Sequence, residues 1–261
     1  MNLLSDSPPS MAVGKPGKLY GISAGPGDPD LITVKALKLL QQVPVVAFPA
    51  GRQGQPGIAQ RIVTPWLRPE QQQVPLFFAL VQDEAKLQAA WAAAAATIEP
   101  YLQQGQDVAF VSEGDVSFYS TFTYLVAALR ERCPGLLAQA VPGVCSPLGA
   151  AAELGLPLTI GTQKLAVLPT LHSLSELEQA LRWAEVVVLL KVSSVYPQVW
   201  QILRQHDLLR QSHIVLWATG QEQVLYSDLS QHADLQLPYF SLLLVQRSQE
   251  TSKISATCGG L

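Results

Sequence analysis

Charge is scarce in this chain. Asp, Glu, Lys and Arg make up 14% of its 261 residues while 48% are hydrophobic, against roughly 25% charged residues in an average globular protein. Disordered chains show the opposite balance, so wholesale disorder is excluded. The length allows one large unit or two compact ones. So little charge also implies extra buried surface, either a subunit interface or a cleft for a large apolar ligand. Basic charge is in short supply: 17 Lys and Arg against 20 Asp and Glu leave −3, which counts against a general nucleic-acid partner.

Long apolar runs are missing as well. VVVLL at 186–190 and the Ala-rich stretch around 89–98 fall short of the roughly 18 residues of a membrane span, so no membrane partner is expected. The opening MNLLSDSPPSMAVGKPG lacks the basic-then-apolar order of a secretory signal, and a cytoplasmic location is the expectation. Cys133, Cys145 and Cys258 are odd in number and show no CxxC spacing, which suggests neither a disulfide framework nor a zinc site. His172, His206, His213 and His232 form no HExxH or i, i+4 pair, so no protein-bound metal is expected.

What is present is an alternation of short β-branched runs with helical patterns, the order that builds parallel sheets through crossover helices. The fold class is therefore α/β. Strands are expected at 18–24, 44–48, 106–112, about 138–141, 164–169, 185–192, 213–218 and 239–247. Helices are expected near 30–41, 56–63, 83–104, 118–132, 146–154, 174–182 and 195–206, with Asp30, Ser117, Ser146 and Ser175 as N-caps. The Pro-Gly break in VPGV, where the strand–helix rhythm restarts, marks a boundary. The expected division is a disordered lead-in at 1–17, α/β domains at 18–140 and 141–247, and a tail at 248–261.

Three segments stand where chemistry is expected. GISAGPGDPDLIT (21–33) is a strand running into a Gly-Pro turn that opens a helix, and in an open α/β sheet such turns lie at the ligand-binding strand ends. Its spacing is not GxGxxG and no GK[ST] follows, so a nicotinamide oxidoreductase or P-loop reading lacks its motif. VSEGDVSFYSTF (111–122) places Glu113 and Asp115 around Gly114, which suits a cationic group or ribose hydroxyls. VPGVCSPLGAAAELGLPLT (141–159) is a small-residue helix start that admits a flat ligand. Taken singly, each segment also reads as a structural turn or as helix packing.

In combination and order, the three segments resemble the tetrapyrrole methylases, a family of S-adenosylmethionine-dependent methyltransferases, over roughly residues 18–247. The quoted strings are GPGDPDLITVKAL (25–37), FVSEGDVSFYSTF (110–122), VPGVCS (141–146), AAAELGLPL (150–158), LAVLPT (165–170) and VVLLKV (187–192). The EGD…FYSTF string resembles the branch that methylates C20 of precorrin-2, or its cobalt complex, in cobalamin biosynthesis. Val116 departs from the pattern by standing where the family usually has proline, and proline's loss is expected to loosen the loop.

The resemblance implies two α/β lobes with S-adenosylmethionine in the cleft between them, S-adenosylhomocysteine as product, a tetrapyrrole substrate and a homodimer. It implies cofactor contacts at Pro26, Glu113, Gly114, Asp115, Phe118, Cys145, Ser146, Lys191, Val192 and Ala218 to Gly220, many of them through backbone. Glu113 is the candidate general base, with Asp28 as alternative. Tyr119 and Phe122 are candidates for the macrocycle face, and Arg52, Arg61, Lys35 and Arg130 for its carboxylates. Methylation of uroporphyrinogen III or another precorrin, or cofactor binding without catalysis, are the alternatives within the same fold.

Overall fold

The computed structural model describes residues 15–51, 55–78, 83–171 and 173–247; most of the expected lead-in, the tail, Arg52, His172 and Cys258 lie outside them. The first half runs β1 (Leu19–Ser23), α1 (Val34–Gln42), β2 (Val45–Pro49), α2 (Ile58–Val63), β3 (Gln72–Leu76), α3 (Glu84–Gln103), β4 (Val108–Ser112), α4 (Phe122–Arg132) and β5 (Ala138–Val141). Its five strands are all parallel, in the order β3-β2-β4-β1-β5.

Side chains alternate across a strand, and β4 shows what that does here. Val108 and Phe110 pack into one core with α3 and α4, whereas Ala109 and Val111 pack into another with α1 and α2. All five residues of the strand are buried, as a sheet covered on both faces requires. The Ala-rich helix α3 is a packing element, with Trp91 stacked on Tyr124 of α4 at a centroid distance of 4.2 Å.

The second half comprises α5 (Ser146–Glu153), β6 (Leu165–Leu168), α6 (Leu174–Trp183), β7 (Val186–Leu190), α7 (Tyr196–Gln205), β8 (Ser212–Leu216), β9 (Val224–Ser227) and β10 (Ser241–Gln246). Its sheet has the order β6-β7-β10-β8-β9. Here the expectation of parallel pairing holds only for β6 with β7; β10 is antiparallel to both β7 and β8, and β8 to β9. The reason is in the connections. Helix α7 crosses over between β7 and β8, but the short link from β8 to β9 carries no helix, and parallel neighbours need a crossover.

Two strands were not expected, and both are edges. Strand β3 reads QQVPL, with Pro75 and two glutamines masking its pattern, and proline is tolerated in a sheet at its edge. Strand β9 is largely exposed. The caps also differ. Asp28 caps a 3-10 turn over Pro29–Leu31 and Thr33 caps α1, so Asp30 lies inside the turn. Thr121, Cys145 and Ser173 occupy the cap positions expected for Ser117, Ser146 and Ser175. Among the described residues, no helix is long and apolar enough to cross a membrane.

Candidate functional site

The carboxyl ends of β1 and β4 lie side by side, Ser23 paired with Ser112. The chain leaves β1 toward α1 on one face and leaves β4 toward α4 on the other, which opens a crevice at the strand ends. Gly25 (φ 84°) and Gly114 (φ 67°) meet there. Gly25 N–H donates to the Gly114 carbonyl at 3.2 Å, and Gly114 N–H to the Gly25 carbonyl at 2.8 Å. Both lie in the left-handed region that glycine occupies without steric cost.

Asp115 fastens the second loop to the third motif. One carboxylate oxygen accepts from the Ser117 N–H and hydroxyl, and the other from the Gly143 N–H at 2.7 Å. Burial pushes the Asp115 carboxyl up, but the hydrogen bonds from Ser117 and Gly143 outweigh it and hold the group below its ordinary value. Asp115 therefore shapes the loop through Ser117 and Gly143. Val116, expected to loosen this segment, is itself anchored: its side chain is buried in the core and its N–H donates to Ser23 Oγ at 2.8 Å.

The GPGD turn is also the joint to the second half. A Cβ added to Gly27 would stand 2.6 Å from both the Ala218 carbonyl oxygen and the Gly220 nitrogen, so only glycine permits this approach. Asp28 N–H donates to Thr219 Oγ1 at 3.0 Å, and its carboxylate accepts from Asp30 N–H. Those bonds give Asp28 a capping role. Pro26 packs against Gly149 of α5, where an added Cβ would lie 2.8 Å from its ring. Arg61 pairs with Glu222 at 2.9 Å, and the Tyr119 hydroxyl reaches the Val167 carbonyl at 3.4 Å.

Glu113 and Lys191 approach this crevice from the two halves. Burial pushes the Glu113 carboxyl up, while its own backbone N–H and the Lys191 charge pull it back in part. Lys191 is exposed and left-handed (φ 55°), and Val192 behind it is buried in the core of the second half. Among the described residues six non-glycines have positive φ, and Tyr119, Lys191, Trp217 and Thr219, four of them, border this crevice. Such strain concentrates at functional sites. The loops carrying two of them hang from the entry to β10, through Lys191 N–H to the Ser241 carbonyl and Trp217 N–H to the Phe240 carbonyl, both 3.0 Å.

Pro26, Gly114, Cys145, Ser146 and the Ala218–Gly220 loop are thus contiguous, with the Ser146 nitrogen 3.9 Å from the position of a Gly114 Cβ. Phe118 stands against Tyr119 with ring centroids 4.7 Å apart. Phe122 does not face the crevice; it is buried on Phe110. Lys35 and Arg130 are exposed on α1 and α4. Ser23 was not singled out, although a lone serine ending the apolar run LYGIS marks it, and the bond from Asp28 N–H to the Thr219 hydroxyl was not foreseen. Two surface cavities, of about 340 and 550 Å³, contain none of the motif residues. Among the described residues, no group of three or more His, Cys, Asp or Glu could hold a metal ion.

Residues 18–233 match the sequence model of the tetrapyrrole (corrin/porphyrin) methylases. The chain belongs to this family. Among relatives of this methylase, a cobalt-precorrin-2 C(20)-methyltransferase of Salmonella typhimurium is 35% identical over 235 residues, covering 90% of this chain and 98% of the relative. A precorrin-2 C(20)-methyltransferase of Sinorhizobium sp is 33% identical over 237 residues, covering 88% and 95%. Among solved structures, a cobalt precorrin-4 methyltransferase superposes with a TM-score of 0.65 at 24% identity, over 88% of this chain and 94% of that one. A uroporphyrin-III C-methyltransferase from Thermus thermophilus complexed with S-adenosylhomocysteine gives 0.62 at 22%, over 88% and 97%. The structural likenesses speak for the fold.

Proposed function

We propose that this tetrapyrrole methylase transfers a methyl group from S-adenosylmethionine to C20 of precorrin-2, or of its cobalt complex, in cobalamin biosynthesis, releasing S-adenosylhomocysteine. The observation that carries the proposal is the 35% identity to a cobalt-precorrin-2 C(20)-methyltransferase across 98% of that relative.

The crevice suits such a donor. An added Cβ on Gly114 meets nothing closer than 3.9 Å, so a small group fits against the backbone there without a clash, and Glu113 supplies negative charge beside it. S-adenosylmethionine brings an electrophilic methyl group on a sulfonium. Pro26, Gly114, Cys145, Ser146, Lys191, Val192 and the Ala218–Gly220 loop hold it largely through backbone groups, with Phe118 alongside. Holding donor and acceptor in line supplies much of the acceleration, and a cleft that excludes water adds to it.

Glu113 takes the proton that C20 loses after transfer. Burial raises its pKa, the direction that suits a general base, and Lys191 opposes the rise. In this proposal the enzyme is a cytoplasmic homodimer.

The test is an anaerobic assay with S-adenosylmethionine and, in parallel, precorrin-2 and cobalt-precorrin-2, followed by mass spectrometry and NMR. One methyl added at C20 of either acceptor is the expected result. Methylation of uroporphyrinogen III alone, or donor binding with no transfer, would overturn it.

A further inference from the structure

Ser23 is the last residue of β1 and is completely buried. A buried hydroxyl needs partners, and this one uses both of its capacities. Ser23 Oγ donates to the Val141 carbonyl at 2.7 Å and accepts from the Val116 N–H at 2.8 Å. One side chain thereby ties the end of β5 to the loop that carries Glu113 and Gly114. Asp115 makes a second tie between the same segments through Gly143. The packing leaves no slack, since a Cβ on Gly143 would lie 2.5 Å from Ser23 Cβ.

The Val116 N–H is the vulnerable group. It lies in a buried loop, outside any strand or helix ladder, and a buried donor left without an acceptor is costly. Without Ser23 the loop must either strand this donor or move to find another acceptor, and moving it displaces Gly114 and its bonds to Gly25.

We infer that Ser23 is a positioning residue for the methyl-donor site: by accepting from the Val116 N–H, its hydroxyl fixes the 113–116 loop in its ligand-ready conformation. This rests on the proposal that the loop binds S-adenosylmethionine. Loss of the bond lowers the fraction of competent loop, and apparent affinity falls by the same fraction.

The experiment is a double-mutant cycle read by calorimetric titration with S-adenosylhomocysteine. Proline is the one residue without a backbone N–H, so Val116→Pro removes the donor that Ser23 serves. Ser23→Ala is expected to weaken S-adenosylhomocysteine binding about tenfold in the native chain and no more than about twofold in the Val116→Pro background. Hydrogen exchange at the residue 116 amide should be protected in the native chain and accelerated by Ser23→Ala. If Ser23→Ala does not fold, Ser23→Gly, which removes the hydroxyl without adding bulk, takes its place in the cycle. Equal losses in both backgrounds, or none in either, overturn the inference. A native chain that binds no S-adenosylhomocysteine overturns the donor-site proposal itself, and a protected residue 116 amide then separates that failure from a missing Ser23 bond.

Discussion

Gly25 and Gly114 hold each other's backbone, each N–H donating to the other's carbonyl oxygen. The GPGD turn and the EGD loop, almost ninety positions apart in sequence, are therefore one structural unit at the strand ends. Strain introduced in either is transmitted to the other.

Gly114→Ala should separate backbone strain from ligand contact. A non-glycine residue in the left-handed region costs roughly 1–2 kcal/mol. Gly155 has nearly the same φ, 66°, and an added Cβ there meets nothing within 4 Å, so Gly155→Ala is the matched control. Both variants should lose similar stability in urea denaturation. Only Gly114→Ala should also lose S-adenosylhomocysteine affinity, by more than tenfold in calorimetry.

Asp115→Asn should expose the loop's dependence on charge. A carboxyl whose folded pKa is depressed adds stability that is complete above the unfolded pKa, about 3.9, and is lost as pH falls through the lower folded value. The variant should be less stable than the native chain at pH 7 by about 1–3 kcal/mol, the cost of unsatisfied partners. The difference should shrink below about pH 4, as urea titrations at pH 7 and pH 3 would record. Asp207→Asn is the control; Asp207 is itself left-handed (φ 55°), so alanine there would add strain of its own.

Glu113→Gln should lower kcat while leaving S-adenosylhomocysteine affinity within a few-fold. A base works unprotonated, so the native rate should fall as pH drops through the raised pKa of Glu113. That acidic limb should vanish in the variant. A kcat profile that keeps the limb after substitution would assign the base elsewhere.

Gly27→Ala should part the two halves, because its Cβ would meet backbone atoms of Ala218 and Gly220 at 2.6 Å, which have no rotamer to yield. Arg61→Ala removes an ion pair across the same seam whose side chains are 45% and 55% exposed, and exposed pairs contribute about 0–1 kcal/mol. Methyl-transfer activity should collapse in the first variant and survive in the second.

Much of this was legible in the sequence, for physical reasons that differ by element. Strand β4 announces itself because both its faces are covered, leaving an unbroken apolar run. The three motif loops are legible because left-handed turns and close backbone approach demand glycine, at Gly25 and Gly27 in the first, Gly114 in the second and Gly143 in the third. Strand β3 was hidden because an edge strand tolerates proline and glutamine. The antiparallel insertion of β10 was hidden because periodicity carries no direction. The roles of the Ser23 and Thr219 hydroxyls stayed hidden since a hydroxyl's importance lies in which distant N–H it meets, Val116 for one and Asp28 for the other. That the Asp115 carboxylate also binds Ser117 and the Gly143 N–H is something residue type alone does not carry.

The position of β10 between β7 and β8 has a consequence for how the protein is made. The loops at Lys191 and Trp217 are hung from Phe240 and Ser241, residues synthesised well after both. The first sheet, complete by Val141, can pack while the ribosome is still translating the rest, since domains generally fold as units from the N-terminal side. One wall of the cleft thus stands waiting for the other, and a nascent chain stalled before residue 240 presents a finished GPGD turn facing a loop that lacks its anchor.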